Sequence, residues 1–361
     1  MPYKIRGTVL PEGEVREVYV NGGRFTFDPV DGAETLLDDA ILIPGLVDTH
    51  AHLALGSPAP DSAPIAERVA ASARAHLDAG VLLVREPGSP DHSSAGIGPR
   101  TGLPRTVTAG RFLAPVGRYF PGLARDVTEE ELPDAAEEEL RASGAWVKVI
   151  GDSPLPGPGL VRTFSAEALA EAAARVHAAG GRIAIHCSNP EVIQDAIEAG
   201  FDSLEHGTGL RADQVKQVSA RGIAWVPTRT IEAGIREMIH GMGWPSDEIE
   251  IVQRSLDEQP EILCQAVEAG VAVFAGTDAG MGPHGMIRHE IELLGAAGLA
   301  PDVALGAGSW AARSWLGLPG IEEGAPADLV AFTSDPRDDL SALATPAAVI
   351  LDGRLMKDPR R

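Results

Sequence analysis

Ile43-Pro-Gly-Leu-Val-Asp-Thr-His-Ala-His-Leu53 is an apolar run that closes on His50 and His52, one residue apart. If Leu46 and Val47 begin a β-strand, alternate side chains share a face and both imidazoles project to one side. Two such imidazoles at a strand end are half of a metal site. The plain alternative is a pair of histidines in a polar loop, because His-x-His is short and common. Partners elsewhere in the chain decide between the two.

Outward from this run the sequence repeats one unit. Apolar stretches at 46–49, 81–85, 105–109, 146–150, 182–186, 203–206, 223–227 and 271–276 read as strands. Ala-rich stretches at 65–79, 129–142, 166–179, 191–199, 211–220, 262–269 and 286–297 read as helices. Several of these end at a glycine just before the next strand, as at Gly80, Gly180, Gly200 and Gly270, where a left-handed cap is favoured. Eight strands alternating with helices predict an α/β fold, a parallel (β/α)8 TIM barrel over residues 46–320. The third strand has the weakest helical flanks. Residues 1–45 carry short strands broken by Pro11-Glu-Gly13 and Asn21-Gly-Gly23, too little chain to stand alone. Apolar runs at 327–332 and 347–354 offer partner strands, so a small flanking β-sandwich formed by both termini, residues 1–45 and 321–361, is expected. The segments 89–102, 114–127, 152–162 and 230–260 follow strand ends, on the face where such barrels hold their active sites. The last is long enough to contain helix and act as a lid; irregular surface is the alternative for each.

The 361 residues fit one large barrel with an accessory layer, and 44% hydrophobic content is ample for a buried core. A net charge of −22 repels nucleic acid and anionic membranes, which leaves a small molecule as the expected partner. Two cysteines far apart, Cys187 and Cys264, fit a reducing cytoplasm better than a disulfide framework. Met1–Gly7 lacks the apolar core of a secretory signal, and no apolar run approaches the roughly 20 residues of a membrane span. A homo-oligomer is compatible with this composition, but no interface is legible.

The strand ends supply the missing partners. The fourth strand carries Lys148 in an otherwise apolar run, the fifth ends in His186, the sixth in His206 and the eighth in Asp278. A barrel converges all of them with His50 and His52. Lys148, inside a strand, must reach solvent, pair with an acid or lose its charge. Carbamylation by CO2, which turns the amine into a carboxylate able to bridge two cations, is among its options. Arg85, Arg118, Tyr119, Arg229 and His240 lie in or near active-face segments. An arginine there could clamp a substrate carboxylate, and Tyr119 could hydrogen-bond a carbonyl; a surface or salt-bridged role is the alternative for each.

These residues bring the chain to a known family. It resembles the amidohydrolase superfamily, in particular its imidazolonepropionase-like and Xaa-Pro dipeptidase (prolidase)-related branch. The resemblance spans nearly the whole chain. It rests on Pro44-Gly-Leu-Val-Asp-Thr-His-Ala-His52, Val84-Arg-Glu-Pro-Gly88, Val147-Lys-Val149, Ala184-Ile-His186, Ser203-Leu-Glu-His-Gly207, Gly276-Thr-Asp-Ala-Gly280 and Gly324-Ala-Pro-Ala-Asp-Leu-Val330. It implies two divalent metal ions, with Zn2+ suited to the N/O donors. His50, His52 and Asp278 would hold the more buried ion, His186 and His206 the second, and carboxylated Lys148 would bridge them. Mononuclear relatives would use His50, His52, His186 and Asp278, with His206 turned to the substrate.

The implied chemistry is hydrolysis of an amide-type C–N bond, in which an activated hydroxide attacks a carbonyl and Asp278 carries a proton to the leaving nitrogen. An N-acyl amino acid or a dipeptide is the expected substrate. A mononuclear cyclic-amide or imidazolone hydrolase, or a deaminase, is the rival enzyme, and lactone or organophosphate ester hydrolysis is chemically open. A catalytically silent scaffold is the rival of another class.

Overall fold

The computed structural model describes residues 2–153, 155–157 and 159–360. Pro154 and Pro158, within the expected 152–162 loop, lie outside the described residues. The strands Tyr3–Val9, Glu14–Asn21, Arg24–Thr26 and Glu34–Ile43 from the N-terminal end combine with Leu329–Phe332, Ala348–Leu351 and Arg354–Lys357 from the C-terminal end. All seven are hydrogen-bonded into one sheet, in which Glu34–Ile43 pairs with both Tyr3–Val9 and Leu329–Phe332. The two faces of this sheet serve different cores, as the alternation of a strand requires. Ile5, Val18, Leu42, Leu329 and Ile350 form a local core, while Ile43, Val330, Phe332 and Leu351 join the large core of the barrel helices. The expected sandwich is thus a single mixed sheet whose second face rests on the barrel.

The barrel-like body has the predicted parallel order. Leu46–Asp48 pairs with Val81–Glu86 and then Arg105–Thr108; Trp146–Ile150, Arg182–Cys187, Ser203–His206 and Ala224–Val226 follow one another in the second sheet. The strands read as continuous apolar runs because both their faces are buried. Outward Val147, Val149, Ile183, Ile185 and Leu204 meet helices, while inward Trp146, Ala184, Ala224 and Phe274 fill the interior. Helices start where capping chemistry allows. Ser165 accepts from Ala168 N ahead of Ala166–Ala178, and Asn189 with Pro190 opens Pro190–Ala199.

Two strands depart from the sequence reading. The third is broken: Arg105–Thr108 pairs with the second strand, whereas Phe112–Ala114 pairs with the fourth. At the break Gly110 has φ +69°, and a Cβ there would lie 2.7 Å from Glu139 Oε2. Glu139, from helix Leu132–Ser143, fixes the break by accepting from Arg111 N, Nε and Nη2 and from Arg125 Nη1. The eighth strand forms bridges rather than a regular ladder. Phe274 N donates to Trp225 O on one side, and Thr49 N donates to Ala275 O on the other, so residues 271–279 join the seventh strand to the first.

The segment after the seventh strand is helical, as its length suggested: Glu232–Gly241 and Ser246–Glu268, the second running through Pro260. Among the described residues no helix is long and apolar enough to cross a membrane.

Candidate active site

At the C-terminal ends of the strands the predicted ligands come together. His50 lies with its ring centroid 5.1 Å from that of His52 and 5.0 Å from that of His206, and His186 is 4.6 Å from His206. Asp278 Oδ1 is 3.1 Å from His52 Nε2 and 3.5 Å from His50 Nε2. His50, His206 and Asp278 each offer a donor atom within 4.8 Å of the others.

On three of the four histidines Nδ1 is occupied. His50 Nδ1 donates to Glu205 Oε2, His52 Nδ1 donates to the Gly88 carbonyl, and His206 Nδ1 meets the Thr228 hydroxyl, each at 2.7 Å. The carboxylate and the carbonyl accept from Nδ1, which fixes the tautomers of His50 and His52 and leaves Nε2 as a lone-pair donor, the arrangement that metal-ligating histidines show. Gly88 reaches this position at φ +104°, and a Cβ would strike the Phe112 ring at 2.5 Å. His186 differs. Its buried Nε2 has no hydrogen-bond partner and lies 3.5 Å from Asp152 Oδ1. Asp152 is itself held by the amides of Ser188 and Asn189.

Burial keeps His50, His186 and His206 neutral at pH 7. Desolvation pushes His50 down to about 4 and, with the charge of Lys148, His186 down to about 3. Lys148 is 1% exposed, and its Nζ has no hydrogen-bond partner among the described residues. Desolvation pushes its pKa down to about 8, against the opposing pull of Glu205. An unpaired buried amine is costly, so this atom is the strongest sign that something is missing beside it. Four imidazoles, a carboxylate and a lysine able to become a carbamate are a donor set that fits divalent cations of the Zn2+ type.

Three of these strand ends are strained. His206 (φ +64°), Thr228 (φ +50°) and Asp278 (φ +53°) all adopt the left-handed region. Side chains other than glycine enter it at a cost of about 1–3 kcal/mol, and such residues gather at functional sites. The turn carries each side chain away from strict alternation and into the centre.

The expected substrate residues are dispersed. Tyr119 lines the cavity, 5.5 Å from the Phe112 ring, and burial followed by the charge of Asp278 keeps its hydroxyl protonated. Arg85 corrects the sequence reading. It is fully buried beneath the histidines, where Nη1 and Nη2 each donate to Glu205 Oε1 at 3.0 Å and its guanidinium lies 4.1 Å from the centroid of Trp146. Arg118 sits exposed in a turn, Arg229 pairs with Glu232 at 3.1 Å, and His240 meets Gln253; none of them lines the cavity.

Sequence reasoning passed over Glu205, Asp152 and Thr228. Glu205 was open to the argument applied to Lys148: a charged residue within a buried strand needs a partner. Thr228 carries no such signal, because its role depends on a left-handed turn.

The cavity above the histidines has a volume of about 350 Å3, within the range of small-molecule sites. One wall is Phe112, Tyr119 and Phe120; the other is helix Glu232–Gly241 with Trp244 and Val252.

Comparison with known proteins agrees with this geometry. The amidohydrolase family matches residues 41–356. An uncharacterised protein of Mycobacterium tuberculosis (strain ATCC 25618 / H37Rv) is 36% identical over 353 residues, covering 97% of this chain and 94% of that protein. Ochratoxinase of Aspergillus niger is 27% identical over 246 residues, 64% of this chain and 50% of that enzyme. The crystal structure of a Xaa-Pro dipeptidase with bound methionine in the active site superposes with a TM-score of 0.84 at 21% identity, over 99% of this chain and 100% of that one, a likeness of fold. By its sequence and by the centre its strand ends build, the chain belongs to the amidohydrolase family.

Proposed function

We propose that this hydrolase cleaves an amide-type C–N bond at two divalent cations, Zn2+ being the ion suited to the donors. His50, His52, Asp278, His186 and His206 would hold the ions, and Lys148 would bridge them as a carbamate. The observation that carries this reading is the buried, unpartnered Nζ of Lys148 among four histidines. A pKa near 8 leaves part of the amine neutral at pH 7. The neutral Nζ can form a bond to the carbon of CO2 and release a proton to solvent, which leaves one negative charge on the carbamate oxygens.

The bound ions would supply Lewis acidity toward the carbonyl and lower the pKa of water. The chain's own residues do the rest. Asp278 takes a proton on Oδ and returns it to the leaving nitrogen. Tyr119, with its hydroxyl protonated, is the donor available to the carbonyl oxygen from the opposite wall. Glu205 and the Gly88 carbonyl hold the tautomers of His50 and His52, Thr228 meets His206, and the apolar walls limit water.

Metal content tests this reading. Protein grown with zinc and bicarbonate should carry about two ions per chain by elemental analysis, and Lys148→Ala should reduce that number and amide turnover together. One ion, unchanged in Lys148→Ala, would turn the reading to a mononuclear cyclic-amide hydrolase or deaminase. No ion after reconstitution would sink it.

A further inference from the structure

Resting on the amide-hydrolase reading above, we infer that the cavity selects an uncharged amide with a large apolar group, an aryl or long alkyl carboxamide, and not an amide bearing a carboxylate. The wall opposite Phe112 is one face of a helix. Ile235, Met238 and Ile239 fall at the i, i+3, i+4 spacing, so they project together. Ile239 and Trp244 are packed on Val252 and Leu256, while Ile235 and Met238 stay half-buried at the cavity edge. Trp244 is anchored by Nε1 to the Leu155 carbonyl at 2.9 Å, so its ring is held in place as part of the wall. Met238 adds an adaptable side chain, suited to an apolar surface without a fixed outline.

Among the described residues no arginine borders the cavity, and Lys148, the lysine that does, would be a carbamate in the proposed centre. Arg85 is buried beneath the histidines on Glu205. Arg229, at the start of the same helical segment, pairs with Glu232 through Nη2. Its buried Nε and Nη1 have no partner, but it does not border the cavity. A net charge of −22 adds a field that disfavours anionic ligands. A carboxylate laid against Ile235 and Met238 would lose its hydration without gaining a counter-ion.

The test is a matched pair on the zinc-loaded full chain: N-phenethylbenzamide and N-benzoyl-L-phenylalanine, which differ by one carboxylate. The neutral amide should have the higher kcat/KM by about tenfold or more, a difference of about 1.4 kcal/mol. Ile235→Lys, which places an ammonium on the wall, should shift the ratio toward the carboxylated compound while metal content stays constant. Equal or better use of the carboxylated amide by the unaltered protein overturns the inference. So does a carboxylate preference abolished by Arg229→Met, which would make that arginine the clamp. If neither compound is cleaved, the amide reading fails. Calorimetric binding of the same pair then decides the selectivity: tighter binding of the neutral compound supports it, and equal or weaker binding overturns it.

Discussion

Glu205→Gln perturbs a single atom and should disturb both the fold and the proposed metal centre. Glu205 and Arg85 are both fully buried, and the carboxylate accepts from Arg85 through Oε1 and from His50 through Oε2. A glutamine can satisfy only one side. With its oxygen toward Arg85, its NH2 faces His50 Nδ1 and drives the imidazole proton to Nε2, the nitrogen an ion needs. With its NH2 toward Arg85, donor faces donor. Either way the guanidinium loses its counter-ion in a dry interior, at a cost of about 3–5 kcal/mol. That is a large share of the roughly 5–15 kcal/mol that holds a typical protein folded. Loss of the partner on a ligating imidazole should also weaken metal affinity by about 10–100-fold. Guanidinium unfolding and zinc titration against a chelator measure the two effects separately. In the double variant Arg85→Met/Glu205→Met the buried charges are gone, so most of the stability should return while metal affinity stays low. A Glu205→Gln protein with unchanged midpoint and zinc affinity would refute the relay, as would recovery of zinc affinity in the double variant.

Thr228→Val removes the hydroxyl at His206 Nδ1 and keeps the shape, so zinc affinity should fall by about 10–100-fold, read by the same chelator titration. Chelation of wild-type protein should lower its thermal midpoint, since an ion bound only by the folded chain stabilises it by mass action; an unchanged midpoint would argue against the centre. Glu139→Gln should destabilise at pH 7 by about 2–3 kcal/mol, because hydrogen bonds to a charged acceptor are lost. Burial opposes the Glu139 charge, but its bonds to Arg111 and Arg125 hold the folded pKa below the usual 4.5. That stability is therefore present above the unfolded pKa and is lost as pH falls through the folded one, so the gap between wild type and variant should close in acid. A gap independent of pH would contradict it.

What was legible in the sequence is what burial writes locally. Parallel strands buried on both faces stand out as Val/Ile/Leu runs, and a histidine or lysine in such a run stands out in turn. His50, His52, Lys148, His186, His206 and Asp278 were singled out at the strand ends, and the fold gathers them around one cavity. The broken third strand was not legible, because Gly110 makes sense only with Glu139 against it, and that carboxylate comes from the next helix. Helix Ser246–Glu268 was expected as two pieces, a 230–260 segment long enough to contain helix and a helix from 262, whereas it runs on through Pro260, a residue that usually interrupts a helix. Packing of Leu256 and Leu263 on either side of that proline overrides the local preference. The substrate arginines were misjudged for a related reason: position near a strand end says nothing about whether an acid already holds the guanidinium. Glu205 and Glu232 do.

The three left-handed residues at the strand ends have a consequence for anyone who engineers this protein. At positions 206, 228 and 278 glycine would relieve backbone strain, so each is a place where a more robust fold lies one substitution away. Each such gain removes a side chain from the centre. A library selected for heat resistance alone should therefore drift toward inert barrels, and selection must be coupled to turnover to keep these positions as they are.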